Sequence, residues 1–180
     1  MKHDQRTGNW RLCRRSGRKI MEQKQMSGQE RMEEHARNTI KEKNVDQDGL
    51  INGMMKSEFI SCSFEEKTLT FGYPVQPWEA NRVGNMHGGM ICATFDTTIA
   101  ALARFYAGEN FAPTISLDVK YVRPVKVGDM LLVTAHATAT GKRITQLTCE
   151  AYSRETGKLV ATGASVYMNV DTVKERREEK

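Results

Sequence analysis

Residues 88–103 read GGMICATFDTTIAALA, with apolar or small side chains on every side of a helical wheel. A helix apolar all round offers no face to water, so the rest of the fold has to enclose it. Its only ionisable residue is Asp96. The segments on either side have the character of strands. Before the helix stand 59–64 and 68–75, separated by Glu65-Glu66-Lys67; in the second, Leu69, Phe71 and Tyr73 alternate with Thr68, Thr70 and Gly72, the period of a half-buried strand. After it come 114–122, 130–140, 144–152 and 159–169. Val127-Gly128-Asp129, Gly141-Lys142 and Glu155-Thr156-Gly157-Lys158 punctuate these runs, and connections this short favour antiparallel hairpins. The expected architecture is α+β, an antiparallel sheet wrapped around one long central helix.

Composition divides the chain before that core begins. Only 12 of the first 50 residues are apolar, against 58 of the other 130. Seven of the first 20 residues are Lys or Arg against the single Asp4, while residues 21–180 carry 20 basic and 21 acidic side chains. The net charge of +5 therefore comes from a short arm, and a nucleic-acid binder would spread its basic footprint over the fold. The arm is too poor in apolar residues to pack, and its charges are not followed by the apolar core of a signal peptide. No run approaches the ~18 apolar residues of a membrane-spanning helix. Cys13, Cys62, Cys92 and Cys149 show no metal-ligand or redox spacing, so they read as free thiols of a cytoplasmic protein. Within 27–43, Ser27 and Glu30 have capping-box spacing, and Met32, Ala36 and Ile40 form one narrow apolar stripe. The division is thus a disordered basic arm over 1–26, a helix and linker over 27–50, the main domain over 51–170 and a charged tail over 171–180.

Asp96 needs a source of solvation, since a carboxylate among apolar side chains otherwise loses its charge at large cost. Either Thr97, Thr98 and backbone groups satisfy it, or it faces a cleft and serves as base or nucleophile. Asn81-x-x-Gly84-x-x-His87-Gly88-Gly89 stands just before the helix. Glycines at a helix start let a ligand approach the backbone, and the unpaired first-turn N–H groups can stabilise an oxyanion. Gly88 and Asp96 are eight positions apart, nearly on one helix face but about 12 Å along it. Both can touch one reacting carbonyl only if they come from different subunits.

Asn81, Gly84, His87, Gly88 and Gly89, followed by Asp96, resemble the signature of PaaI-type acyl-CoA thioesterases of the hotdog fold. Thr114, Arg123-Pro124, Val127-Gly128-Asp129 and the stretch from Glu155 to Ala161 extend the likeness over roughly 57–170. The resemblance implies a hotdog domain with an extra N-terminal helix, dimers joined edge to edge, and their pairing into a homotetramer. It also implies hydrolysis of acyl-CoA without metal or cofactor. Asp96 becomes base or nucleophile, the Gly88 N–H polarises the carbonyl, and Asn81 and His87 hold the thioester or leaving thiolate. Thr114 positions Asp96 or the water, and Gly89 lies along the substrate. Lys142 and Arg143 are the hairpin cations within reach of coenzyme A phosphates, and His136 is structural. A non-catalytic acyl-CoA regulator would need a DNA-binding module that residues 1–50 are too apolar-poor to form. A hotdog enoyl-CoA hydratase or dehydratase would need a differently spaced His–acid dyad.

Overall fold

The computed structural model describes residues 26–46, 49–108 and 110–170. The arm expected over 1–26, apart from Met26, and the tail over 171–180 lie outside the described residues. Helix α1 (Gly28–Lys41) begins at the expected capping box: the Glu30 N–H donates to Ser27 Oγ and the Ser27 N–H to Glu30 Oε2. Its stripe docks, with Met32 and Ala36 buried and Ile40 partly so. The helix does not run to 43 in regular form; it widens into a π-helical turn over Glu42–Asp46. The expected linker is likewise pinned. Asn44 Nδ2 donates to the Ser57 carbonyl at 2.8 Å, and one helical turn, α2 (Ile51–Met54), interrupts it.

Six strands follow: β1 (Glu58–Ser63), β2 (Thr68–Pro74), β3 (Thr114–Tyr121), β4 (Met130–Thr140), β5 (Ile144–Ser153) and β6 (Leu159–Met168). They form one antiparallel sheet in the order β1-β2-β4-β5-β6-β3. The central helix α3 (Gly88–Ala107) packs on β2 to β6. It runs one turn beyond 103, through Arg104, Phe105 and Tyr106, and stops at Gly108, whose φ of 66° suits a residue without Cβ. Leu69, Phe71 and Tyr73 point inward as their alternation requires, beside Leu131, Val133, Leu147 and Tyr167. Under α3 the sheet is built small, with Ala135, Ala151, Ala161 and Gly163. A Cβ on Gly163 would lie 2.8 Å from the Phe95 ring and 2.9 Å from the Asp118 carbonyl, so only glycine lets helix and sheet approach this closely.

Helix α1 ties two parts of this frame together. Gln29 donates to the Cys62 carbonyl and accepts from the Phe64 N–H, satisfying polar groups along the otherwise open edge of β1. Arg37 stacks over the Phe59 ring at 4.6 Å. On the other side, His35 Nε2 lies 2.9 Å from the Ala101 carbonyl of α3. Enclosure of α3 is nevertheless incomplete. Gly89, Asp96 and Arg104 are exposed and Cys92 and Ala93 half-buried, so one face of a helix apolar all round lies open in the single chain.

Lys43, in the π-helical turn, is 4% exposed, with Nζ 3.4 Å from the Thr97 carbonyl. Burial first, and then the charge of Arg104, lower its pKa from an ordinary 10.5 to about 7. The unfolded chain thus keeps this proton to higher pH than the folded one. The residue's contribution to stability is present above pH 10.5 and is lost as the pH falls to about 7. Lys43→Met should therefore raise the melting temperature most at about pH 6, with the gain shrinking towards about pH 10. A gain that stays constant across that range in thermal melts would contradict this account.

Candidate active site

The segment before α3 is a sequence of tight turns. A short 3₁₀ helix, Pro77–Glu79, leads to an Ala80–Met86 bridge that closes the turn around Gly84 (φ 79°). Asn81 Oδ1 accepts from the Val83 and Asn85 N–H groups at 3.0 and 3.2 Å, so the side-chain oxygen holds the turn. Its Nδ2 has no acceptor among the described residues. His87 is the N-cap of α3: Nδ1 accepts from the Gly89 N–H at 3.0 Å. In the neutral ring the proton then sits on Nε2, which is left as a donor. The Gly89 amide is committed to His87, whereas the Gly88 N–H has no acceptor among the described residues. Tyr121 donates to the Gly88 carbonyl at 3.0 Å and lies 2.9 Å from Cys92 Sγ. The Cys92 contact, with burial second, pushes the Tyr121 phenol up to about 12.

Asp96 lies two turns further along α3, where it lines a cavity. Its carboxylate is exposed, and Oδ1 accepts from Thr114 Oγ1 at 3.0 Å and from Tyr167 Oη at 2.9 Å. Thr114 and Tyr167 are direct cross-strand partners on β3 and β6. Neither Thr97 nor Thr98 satisfies the carboxylate; they bond Asn52 and the Thr94 carbonyl instead. Oδ2 is left without a donor among the described residues. Tyr167 is 1% exposed, and burial, reinforced by the Asp96 charge, raises its pKa far above the ordinary tyrosine range. It therefore remains a donor.

Two separate cavities hold these groups. One, of about 400 Å³, contains Asp96, Thr114, Tyr167, Arg104, Asn110 and Phe111. The other, of about 330 Å³, contains Asn81, Gly88, Tyr121 and Arg123. The chain thus brings Asp96 to Thr114 and Asn81 to Gly88, and leaves the two pairs apart. Lys142 and Arg143 are exposed at the β4–β5 hairpin and line neither cavity; the cation beside Gly88 is Arg123. His136 is on the outer, exposed side of β4 and lines neither of these two cavities. Tyr167 lies outside the motif residues, and Arg123, quoted with Pro124 for the likeness alone, gains its place in the Gly88 cavity only from the structure. The signal for Tyr167 is a tyrosine on the inner face of a strand, whose buried hydroxyl requires a partner. Of the aromatic residues, Phe95 is core and Phe111 lines the Asp96 cavity, while Phe64, Phe105 and Tyr106 line a larger cavity beneath α1. Among the described residues no three side chains form a metal-binding cluster, Cys62, Cys92 and Cys149 are free thiols, and no helix is long and apolar enough to cross a membrane.

A six-stranded antiparallel sheet around one long helix, with polar groups gathered at the helix start and on its open face, defines a hotdog domain. Residues 83–160 match the family described as Thioesterase superfamily. The chain is 33% identical over 91 residues to acyl-coenzyme A thioesterase 13 of Mus musculus, a stretch covering 49% of this chain and 64% of that protein. The matched stretch thus spans less than two thirds of that relative. The structure of the E. coli PaaI protein from the phenylacetic acid degradation operon superposes with a TM-score of 0.68 at 19% identity, covering 81% of this chain and 97% of that one. Thioesterase superfamily member 2 from Mus musculus superposes with a TM-score of 0.63 at 20% identity, covering 74% and 96%. The likeness in sequence is thus to the thioesterase superfamily over 83–160, and the likeness in fold extends over most of the chain.

The bond from Tyr167 to Asp96 is measurable without any substrate. In a double-mutant cycle of Tyr167→Phe with Asp96→Ala, a hydrogen bond to a charged group should appear as a coupling of about 1–3 kcal/mol in denaturant melts. Additive losses would show that the contact carries no energy.

Proposed function

We propose that this protein hydrolyses acyl-CoA thioesters, with each active site assembled from two copies of the chain. The observation that carries this reading is the Asp96 carboxylate: one oxygen is fixed by two hydroxyls, and the other is free and faces a cavity. Thr114 and Tyr167 set the orientation, so Oδ2 can accept a proton from a water held against the thioester carbonyl. As the water oxygen bonds to the carbonyl carbon, the carbonyl electrons move onto its oxygen. The Gly88 N–H of a second copy, at the positive end of its helix dipole, receives that oxyanion. Collapse of the intermediate expels the coenzyme A thiolate, which leaves readily and needs no metal or cofactor. The free donors Asn81 Nδ2 and His87 Nε2 hold the thioester and leaving sulfur, and Arg123 meets the coenzyme A phosphates better than Lys142 or Arg143.

Two copies are required because Gly88 and Asp96 are about 12 Å apart along one helix. Physical features of the single chain support that assembly. Among the described residues strand β3 pairs only with β6, which leaves its outer edge open, and Ile115, Tyr121 and Val122 are about half exposed. Antiparallel pairing of two β3 edges would cover them together with the open face of α3. Pairing of such dimers gives the homotetramer. The free thiols fit a cytoplasmic setting.

Asp96→Asn keeps an oxygen for Thr114 and Tyr167 but replaces Oδ2 with a group that cannot take a proton. Single-turnover hydrolysis should fall by ~10²–10⁴ while the melting temperature stays level. A folded variant that turns over at the wild-type rate would remove Asp96 from the chemistry.

Gly88→Pro deletes the oxyanion donor at the first helical position, where proline is tolerated. Co-expressed Asp96→Asn and Gly88→Pro subunits should form mixed dimers with one intact and one doubly defective site. Activity well above either variant alone is expected in the purified mixed dimer. No recovery would mean that each chain carries its own complete site.

A further inference from the structure

The Asp96 cavity does not end at the carboxylate. It runs along the open face of α3 to Arg104 and Asn110, and both of these residues also line the larger cavity of about 760 Å³ beneath α1. Arg104 is exposed and has neither an ion pair nor a hydrogen bond among the described residues. Eight positions separate it from Asp96, so it follows the same face about 12 Å further along the helix. Burial lowers the pKa of both Lys43 and His35, with the Arg104 charge acting in the same direction, and Arg31 stands on the same cavity wall. Glu34 and Glu42 line that wall as well, but neither pairs with Arg104. The Tyr106 hydroxyl, also in the larger cavity, is buried without a partner among the described residues. A tunnel for a plain hydrocarbon chain has no use for a bare guanidinium and an orphaned hydroxyl at its far end.

We infer that the preferred substrate is an acyl thioester whose acyl group bears a carboxylate at its distal end, bound by Arg104 at the junction of the two cavities. This rests on the thioesterase reading above and adds the substrate class to it. The distal anion would pair with the guanidinium, and the Asn110 amide is placed to donate beside it. Helix α1, which lies outside the segment matching the family model, supplies the outer wall through Arg31, His35 and Asn38.

The test uses the full chain and paired coenzyme A thioesters of equal carbon number, one the mono-thioester of a dicarboxylic acid and the other ending in a methyl group. Wild type should favour the carboxylate-ended member in kcat/KM by about tenfold or more, the size of a hydrogen bond between charged groups. Arg104→Gln should erase that preference, and Arg104→Lys should retain part of it. A wild-type preference for the methyl-ended thioester, or a preference untouched in Arg104→Gln, overturns the inference while leaving the hydrolase reading intact. The same pairs are titrated calorimetrically into Asp96→Asn with and without Arg104→Gln, which reads the subsite without turnover. Tighter binding of the carboxylate-ended thioester that vanishes with Arg104→Gln supports the inference even if hydrolysis fails. Equal affinity for both members refutes it.

Discussion

The close approach of α3 to the sheet is the constraint on which the rest of the molecule depends. It needs small residues on both sides: Ala100, Ala101 and Ala103 on the helix, and Ala135, Ala151, Ala161 and Gly163 beneath it. Such packing allows no adjustment of the helix along its axis, because a single added carbon at Gly163 meets both a ring and a backbone carbonyl. The helix start and Asp96 are therefore fixed relative to β3 and β6. Tyr121 comes to rest against Gly88, and Thr114 and Tyr167 come to rest against Asp96, without dedicated loops to place them. The same rigidity makes the helix a ruler. With its two polar stations about 12 Å apart, one chain cannot bring both to a single carbonyl.

Most of the architecture is legible in the sequence because its signals are periodic. The alternation of Leu69, Phe71 and Tyr73 and the glycine-marked turns locate the strands to within a residue or two. The end of α3 is less legible. Arg104 resembles the boundary of a buried helix, yet the chain continues as helix because that face is open there and Arg104 is exposed. The segment after α1 is also misread from composition. Asn44, Asp46, Asp48 and Gly49 have the character of a linker, but the bond from Asn44 to Ser57 and the burial of Lys43 depend on partners distant in the chain. The site shows the same division. His87, Gly88 and Asp96 are readable from spacing, whereas Tyr167 is visible only through its cross-strand register with Thr114, and Arg123 only through the return of the chain beside Gly88.

The support around Asp96 is asymmetric in a way that suits the base role proposed for it. Two hydroxyls on one oxygen fix the rotamer and spread part of the charge, and the opposite oxygen keeps its basic lone pairs. Were both oxygens bonded, the carboxylate would be held well but would be a poor acceptor. Were neither bonded, a side chain on an open helix face would sample several rotamers and lose the alignment that proton transfer requires. Hydroxyls suit this task better than cations. Tyr167 cannot lose its proton at ordinary pH because burial disfavours the phenolate, so it donates steadily without adding a positive charge that would weaken the base.

Helix α1 adds a different electrostatic element. By covering the C-terminal half of α3 it buries Lys43 and brings His35 against the Ala101 carbonyl, and burial, reinforced by the Arg104 charge, lowers the pKa of both. Arg104 is left an unpaired guanidinium on the cavity wall, and a charge on the buried Lys43 beside it is unfavourable. A fold does not keep such a cluster for stability, since an apolar side chain at Lys43 would pack without desolvating a charge. The balance changes when an anion enters the cavity. It offsets the mutual repulsion, gives Arg104 the partner it lacks and favours the protonated form of Lys43. If Arg104 binds a distal carboxylate as proposed, helix α1 exchanges folding stability for a preference about the group beyond the thioester, from a segment of the chain that holds neither Gly88 nor Asp96.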